Sequence, residues 1–362
     1  MKSLKVFPCV LLLLVVVRIP IFAEVIELPE IINPDSITLD EDHIYISDFP
    51  SIYIYSLQDY RLIKKFGRVG EGPKEWLKYA LLSLHENHLV IGDQNKMLFF
   101  SKTGDYIREI KAKSIIYWGG RPTANGFIAK NRATEKDFQY NTICLYDQNL
   151  RKTKEIYRNA FFWQYKKSSD KCNAIEVGGI QFQVYQDYFL FRKNPDFTID
   201  VLDKSGKKLY TIQLPYSRLP FPDSIKKQYY RYFQTVPPWK RLYRRIGKEI
   251  YFPSHLPAIQ SFVAADNKIY VLTYETRDNQ SKFIILDLKG KKLQEVWLSF
   301  HQSDQWFHHS LTQWVRHGCS HPTFTFRNDT LYHLVMAEDD EDYEHWRLQV
   351  TGINANAGTV EK

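Results

Sequence analysis

The segment Phe66-Gly67-Arg68-Val69-Gly70-Glu71-Gly72-Pro73-Lys74-Glu75-Trp76 is a glycine-dense turn between two runs that have the pattern of antiparallel strands. Glycine permits the tight backbone bends that such a turn needs. A phosphate loop would require Gly-Lys-Ser/Thr at its end, whereas Gly72 is followed by Pro73-Lys74-Glu75. The spacing also differs from a dinucleotide-binding fingerprint. The segment therefore predicts a tight crossing between two sheets.

On both sides of this turn, a polar pair followed by an alternating apolar run recurs along the chain. These pairs suit hairpin turns, because their residues tolerate positive φ or bond to their own backbone. The pairs are Glu41-Asp42, Glu86-Asn87, Asn125-Gly126, Gln186-Asp187, Asp266-Asn267 and Asn328-Asp329. A second turn signature follows several of them, at Phe100 to Gly104, Tyr146 to Asn149, Leu202 to Gly206 and Leu286 to Gly290. Two hairpins per unit predict a four-stranded blade, and six units predict an all-β, six-bladed β-propeller. A β-sandwich is the alternative, but it does not explain why the same two turns recur in one order.

The crossing turn resembles the Gly-x-x-Gly-x-Gly-Pro-x-Glu connection of the NHL-like six-bladed propeller proteins that bacteria export. The resemblance implies that the outer strand of one blade ends here and that the chain crosses to the inner strand of the next. It also implies that Arg68, Glu71 and Trp76 lie on one rim of the ring, where we predict that they bind a ligand. Position 74 is Lys where the family turn has glycine.

The two ends of the chain carry separate signals. Lys2 and Lys5 precede the apolar run Val6–Val17, and the order of charged, apolar and small residues up to Ala23 is that of a secretory signal peptide, residues 1–23. We predict cleavage after Ala23, a secreted or periplasmic location and no membrane span in the mature chain, because the apolar run is shorter than the roughly 20 residues that a span needs. Residues 24–362 are then one propeller domain. The last unit lacks a fourth strand, so we expect Val25 to Leu28 to complete it.

The net charge and the cysteine content exclude few classes of function. Residues 1–23 contain Lys2, Lys5 and Arg18 and no acidic residue, so the remaining 339 residues carry 46 Lys and Arg against 41 Asp and Glu. This small surplus gives no argument for a nucleic-acid partner. Residues 24–362 contain three of the four cysteines, Cys144, Cys172 and Cys319, and this small, odd number argues against a disulfide framework, although Cys144 and Cys172 could pair across a long loop.

The largest insertion, residues 220–258, follows the fourth unit. Asp223 or Ser224 can cap a helix whose apolar spacing includes Ile225, Tyr229 and Phe233, and Pro237-Pro238 ends the pattern. Basic and aromatic residues surround this helix. Such a mixture can hold an anionic glycan or a polynucleotide, or the aromatic rings can simply pack on the rim while the lysines stay solvated. The residues that we predict to bind a ligand here are Tyr229, Tyr230, Arg231, Trp239, Arg241 and Arg244.

Histidines cluster in one connection near the C-terminus. His308, His309, His317 and His321 are the candidate ligands of a divalent metal, since imidazole suits zinc, but their spacing is not a recognised zinc signature. Asp48, Asp93 and Asn131 recur after the second strands and could form a polar ring around the axis, or could be turn residues. The acidic run Glu338–Asp342 has the character of a hairpin tip rather than of a calcium loop.

Two functions follow from these patterns. The first is a non-catalytic exported binding module or scaffold for a glycan, peptide or protein, with no cofactor. The second is a metal-dependent lyase or lactonase, whose ligands would converge on the axial channel and activate water or polarise an oxygen. The sequence shows no nucleophile motif with recognisable flanks, and the histidines do not recur blade by blade, so the binding module is the preferred hypothesis.

Overall fold

The chain folds as a six-bladed β-propeller. The computed structural model describes residues 23–77, 80–93, 96–112, 120–135, 138–160, 172–173, 181–193, 198–214, 219–235, 240–241, 243–244, 250–256, 259–300, 323–338 and 344–353. Six four-stranded antiparallel sheets form the blades. This confirms the fold that the recurring turns predict.

In blades 1 to 5 the strands follow chain order from the inner strand to the outer one. The N-terminal strand is β1 (Glu24–Leu28). Blade 1 contains β2 (Ser36–Leu39), β3 (His43–Asp48), β4 (Ser51–Ser56) and β5 (Leu62–Phe66). Blade 2 contains β6 (Leu81–His85), β7 (His88–Gly92), β8 (Lys96–Ser101) and β9 (Tyr106–Lys111). Blade 3 contains β10 (Gly120–Thr123), β11 (Gly126–Glu135), β12 (Phe138–Tyr146) and β13 (Lys152–Ala160).

The insertions between blades lie in the second half of the ring. The short strand β14 (Cys172–Asn173) precedes blade 4, which contains β15 (Phe182–Tyr185), β16 (Tyr188–Lys193), β17 (Thr198–Asp203) and β18 (Lys208–Gln213). The helix α1 (Asp223–Thr235) and the short strand β19 (Ile250–Tyr251) follow, and β19 pairs in parallel with β14. Blade 5 contains β20 (Ser261–Ala265), β21 (Lys268–Arg277), β22 (Gln280–Asp287) and β23 (Lys292–Ser299). Blade 6 contains β24 (Phe324–Arg327), β25 (Thr330–Glu338) and β26 (Glu344–Gly352).

Blade 6 is completed by the N-terminal strand. β1 pairs antiparallel with β26 from Glu24 opposite Val350 to Leu28 opposite Trp346, so blade 6 has the order β1, β26, β25, β24. The side chain of Leu28 is buried among residues of blades 6 and 1. Glu27 forms an ion pair with Arg347 at 2.7 Å. The predicted closure of the ring by residues 25–28 is confirmed.

Five of the six predicted hairpin pairs contain a residue with positive φ, and Glu41-Asp42 does not. Glu86, Gln186 and the pairs Asp266-Asn267 and Asn328-Asp329 have positive φ, as does Gly126. The second turns are held by side chains that accept backbone N–H groups: Asp203 Oδ1 accepts from Ser205 at 2.8 Å and from Lys207 at 3.0 Å. Asp147 and Asp287 make the equivalent bonds in blades 3 and 5. Both turn types are therefore specified locally.

Each blade buries both faces against its neighbours. An apolar cluster lies at each of the six interfaces between neighbouring blades, and blades 1 and 2 share one that contains Tyr45, Trp76 and Phe100. The hydroxyl of Tyr45 adds a hydrogen bond between these two blades: it donates to Asp40 at 2.7 Å and to the carbonyl of Lys102 in blade 2 at 3.2 Å. Radial packing thus supplies the second buried face that a single four-stranded sheet lacks.

The outer strands of blades 1 to 5 share an irregularity. In each, the pairing with the third strand shifts by one residue directly beside the turn that joins them. The extra residue is Ile63, Ile107, Thr153, Leu209 or Leu293. β1 pairs with β26 without such a shift. Bulges of this kind bend an edge strand and make it a poor template for a further strand.

Antiparallel order divides the connections between two faces of the ring. Turns from the first to the second strand and from the third to the fourth lie on one face, which we call the turn face. Connections from the second to the third strand, and crossings from one blade to the next, lie on the other, which we call the loop face. The crossing at 67–80, β14, α1 and β19 therefore all belong to the loop face.

Candidate functional site

A channel follows the axis of the ring, with a cavity volume of about 480 Å³. Each inner strand lines the channel with the residue that pairs with the third residue of the second strand of its blade. These six residues form one layer: Thr38, Ser83, Arg121, Gln183, Val263 and Thr325. This layer contains no carboxylate and no imidazole. The volume of the channel is within the range of sites that bind small ligands.

The predicted polar ring at Asp48, Asp93 and Asn131 is not among the residues that line the channel. Asp48 accepts the backbone N–H groups of Ile32 at 2.8 Å and Asn33 at 3.2 Å, and burial raises the pKa of its carboxyl group in spite of these bonds. Asp93 accepts the N–H of Leu77 at 3.0 Å. Both carboxyl groups thus hold segments that lead into an inner strand and lie 15 or 16 positions earlier in the chain, a role that differs from that of a local turn residue.

The crossing turn of blades 1 and 2 is closed by its own residues. Glu75 N–H donates to the carbonyl of Gly72 at 3.3 Å, with Pro73 and Lys74 between them, and Lys74 has a φ of 69°. This is a type II turn, which requires positive φ at its third residue and favours glycine there. Lys74 thus occupies the position at which the resembling family has glycine.

We expect Lys74→Gly to stabilise the protein by about 0.5–1 kcal/mol, because glycine adopts positive φ without a steric penalty. Urea unfolding of the purified chain measures the change. Lys74→Ala is the matched control, since it removes the same side chain, whose Nζ lies 5.5 Å from the Tyr106 ring centroid, and keeps the penalty. An equal gain from Lys74→Ala would contradict the backbone explanation.

Arg68 and Glu71 are exposed on this turn, but Trp76 is not. Arg68 forms an ion pair with Glu75 at 2.5 Å, and the N–H of Gly72 together with Arg68 lowers the pKa of Glu75. Trp76 is fully buried, and its ring lies where a Cβ on Gly67 would be, at 2.3 Å. This corrects the predicted placement of Trp76 on the rim: its side chain belongs to the core of blades 1 and 2. Arg68 and Glu71 remain predicted ligand residues.

The helix α1 confirms the predicted helical insertion and explains its aromatic residues. The rings of Tyr229 and Tyr230 both pack on Phe252, with centroids 5.6 and 5.1 Å away, and Phe233 stacks on Tyr243. The basic side chains of Arg231, Arg241 and Arg244 are exposed. The insertion therefore has an aromatic core and a basic outer surface on the loop face. Trp239 lies outside the described residues.

Arg192 is a residue of this region that the sequence analysis missed. It occupies the fifth position of the second strand of blade 4, and its Nη1 donates to the carbonyls of Ile259 at 3.4 Å and Gln260 at 2.5 Å. The equivalent residues of blades 1 and 2 are Ser47 and Gly92. The available signal was a charged residue directly after the apolar run Tyr188 to Phe191, a feature that blade 3 shares at Lys130.

The predicted metal ligands His308, His309, His317 and His321 lie outside the described residues. Within the described ranges, no group of three His, Cys, Asp or Glu side chains is placed to hold a metal ion. Most of the acidic run Glu338–Asp342 is likewise outside them. Cys144 is a free, buried cysteine in the apolar cluster between blades 2 and 3.

The fold has likenesses among solved structures. No protein-family model matches the sequence, and no curated protein matches it. A member of the DUF4221 family from Bacteroides vulgatus is 8% identical, with 92% of this chain and 96% of that chain covered at a TM-score of 0.49. A Bacteroides fragilis protein that is described as exported is 12% identical, with coverages of 91% and 94% and a TM-score of 0.46. A luciferin-regenerating enzyme is 9% identical, with coverages of 92% and 96% and a TM-score of 0.43. Likenesses of this degree say nothing about ligand or activity.

Proposed function

We propose that this chain is an exported binding module of the NHL-like type, which presents its loop face to a glycan, peptide or protein ligand. The observation that carries the proposal is the division of the two faces. The turn face consists of short hairpins fixed by their own residues, whereas the loop face gathers the glycine-rich crossing and the aromatic and basic insertion around α1. Binding residues typically occupy such loops on a rigid scaffold.

Export rests on the signal-peptide pattern of residues 1–23, which lie mostly outside the described part of the chain. No helix within the described ranges is long and apolar enough to cross a membrane. Sequencing the N-terminus of the protein recovered from the periplasm or medium of an expressing bacterium tests this part of the proposal. A first residue other than one near Glu24 would contradict it.

A matched pair of charge-reversal variants tests the loop face. The loop-face variant combines Lys227→Glu, Arg231→Glu and Arg241→Glu, and the turn-face control combines Lys204→Glu, Lys289→Glu and Lys291→Glu; all six side chains are exposed. We expect the loop-face variant to lose at least about 10-fold in affinity for the ligands that wild type selects from glycan and peptide arrays, because complementary charge at an interface sets its encounter rate and specificity. The control should bind as wild type does. Equal losses in both variants, or in neither, would contradict a binding site on the loop face.

A further inference from the structure

The axial channel contains one charged side chain in its layer of six residues. Arg121, from the inner strand of blade 3, lines the cavity of about 480 Å³ and is half-buried. Its guanidinium carbon lies 5.4 Å from the centroid of the Phe182 ring in blade 4, a cation–π contact that favours a position in the wall between blades 3 and 4. A guanidinium has five N–H donors, so one held at a ring can still donate to a ligand. The layer thus presents a cation to a cavity of ligand size.

Hydroxyl groups from three other blades line the same cavity. They belong to Thr38 of blade 1, Ser83 of blade 2 and Thr325 of blade 6, all half-buried. A hydroxyl donates one hydrogen bond and can accept two, so Ser83, whose Oγ donates to the carbonyl of Val90 at 3.4 Å, can still accept one from a ligand. Neighbouring blades share apolar clusters in chain order, so blade 6 stands opposite blade 3. A ligand that reaches both sides meets a cation on one side and a hydroxyl on the other.

The wall between blades 4 and 5 is fixed by the side chain of Gln183. Its Nε2 donates to the carbonyl of Phe262 at 3.1 Å, and its Oε1 accepts the N–H of Ala264 at 2.7 Å. These are the bonds that the peptide group of a neighbouring strand would make, and they join the inner strands of the two blades. The channel is therefore held at its width by hydrogen bonds as well as by apolar packing, as is typical of a preformed ligand site.

The cavity reaches the turn face beside blades 2 to 4. Its lining includes residues of the first turn in each of these blades: Glu86, Ala124 and Asp187. The carboxylates of Glu86 and Asp187 are exposed, so salt screens their charges more than it screens the half-buried Arg121. They oppose a second negative charge at the mouth, whereas Arg121 attracts one inside. This arrangement suits a ligand with one anionic group at its inner end and uncharged polar groups elsewhere.

We infer that the axial channel is a second binding site, for a small polyhydroxylated carboxylate, either a sugar acid or a short hydroxy acid, that enters from the turn face. The guanidinium of Arg121 binds the carboxylate through two parallel N–H···O hydrogen bonds, a geometry that its planar fork matches. The hydroxyls of Thr38, Ser83 and Thr325 bind those of the ligand. This site goes beyond the proposed function and does not rest on it, since the proposed ligand of the loop face binds at the other end of the ring.

Calorimetric titration of the chain from Glu24 with two matched pairs tests the inference, at a constant ionic strength of about 0.15 M. The pairs are sodium glucuronate with glucose, and sodium glycerate with glycerol. We expect at least one acid to bind one site per chain, at least about 10-fold more tightly than its neutral counterpart. The two acids distinguish a sugar acid from a three-carbon hydroxy acid. Glucosamine carries a cation on the same ring and should bind at least about 10-fold more weakly than the better acid. Binding of neither acid, or tighter binding of glucosamine than of both, would overturn the inference.

Three variants locate the binding. Arg121→Gln removes the charge and should weaken binding of the acid by at least about 10-fold. Thr325→Val removes only a hydroxyl on the opposite side and should weaken it by about 3-fold, which keeps the test valid if Arg121→Gln fails to fold. Arg108→Gln is the matched control, because the guanidinium carbon of Arg108 lies 4.0 Å from the Phe99 ring centroid on the outer strand of blade 2. It should change the affinity by less than about 2-fold. Wild-type affinity in both Arg121→Gln and Thr325→Val, or an equal loss in Arg108→Gln, would overturn the inference.

The channel site and the loop-face site fail separately. Arg121→Gln should bind the array ligands of the loop face as wild type does, and the loop-face variant should keep its affinity for the acid. Absence of acid binding in a protein whose loop-face pair behaves as expected would overturn the channel site alone. Acid binding that requires Arg121, in a protein whose array ligands ignore the loop-face variant, would support the channel site and contradict the proposed function.

Discussion

Deletion of residues 24–28 is expected to destabilise the whole propeller by about 5 kcal/mol or more, since burial of one leucine in a core contributes about 2–5 kcal/mol and the strand also loses its backbone hydrogen bonds. Leu28 is buried between blades 6 and 1, and all five residues of β1 pair with β26. The deletion also leaves β26 as an unpaired, unprotected edge, which favours self-association. Thermal unfolding and size-exclusion chromatography measure the two effects.

Two additional samples make this test specific. Val25→Lys changes a side chain that is 53% exposed, so it should unfold as wild type does. A synthetic peptide of residues 24–33 should restore the unfolding temperature of the deleted chain, because an added strand can complete an open sheet. A deleted chain that is monomeric and as stable as wild type would show that β1 does not hold the ring closed.

Trp76→Ala is expected to cost about 3–5 kcal/mol of unfolding free energy, the usual range for removal of a large aromatic side chain from a core. Trp76 is fully buried and packs edge-on against Phe66 and Phe100, with centroid distances of 6.4 Å to each. Gly67 provides the space for the indole. The cavity that Trp76→Ala leaves is therefore bounded by backbone, which cannot collapse into it. Urea unfolding measures the loss.

Trp76→Phe separates filling of the core from the indole N–H. That N–H is buried and has no hydrogen-bond partner in the described chain, so its removal is favourable. This gain offsets part of the loss of packing, and we expect Trp76→Phe to lower the unfolding free energy by only about 1–2 kcal/mol. Val69→Ala is the surface control, since Val69 is 56% exposed in the same turn. A loss below 1 kcal/mol in Trp76→Ala, as a surface residue would give, would instead support the rim placement.

The fold was predictable because its determinants are local. The polar pairs and the aspartate-bearing turns each contain within a few residues the groups that fix their geometry, as Asp203 shows. Closure by β1 was predictable by counting strands. The outer-strand bulges were not, because residues such as Ile107 and Leu209 at these positions have ordinary strand propensities.

The candidate site was predictable only in part. The sequence located the insertion and its helix, since helical spacing and terminal prolines are local signals. It misplaced Trp76, because nothing in the sequence shows that the missing side chain of Gly67 makes room for an indole. It missed Arg192, since the hydrogen bonds of this side chain reach the carbonyls of Ile259 and Gln260, which are 67 and 68 positions away in the chain. Long-range contacts of this kind leave no periodic pattern.

Because blade 6 contains strands from both ends of the described chain, it also determines the order in which the blades can form during synthesis. Blades 1 to 5 each form from consecutive hairpins, and each can assemble as soon as its own residues have been synthesised. Blade 6 cannot, because the hydrogen bond from Trp346 to the carbonyl of Ile32 joins residues 314 positions apart. β1 is thus synthesised before every other described strand of the ring but is paired after them, and the ring remains open through almost the whole of synthesis.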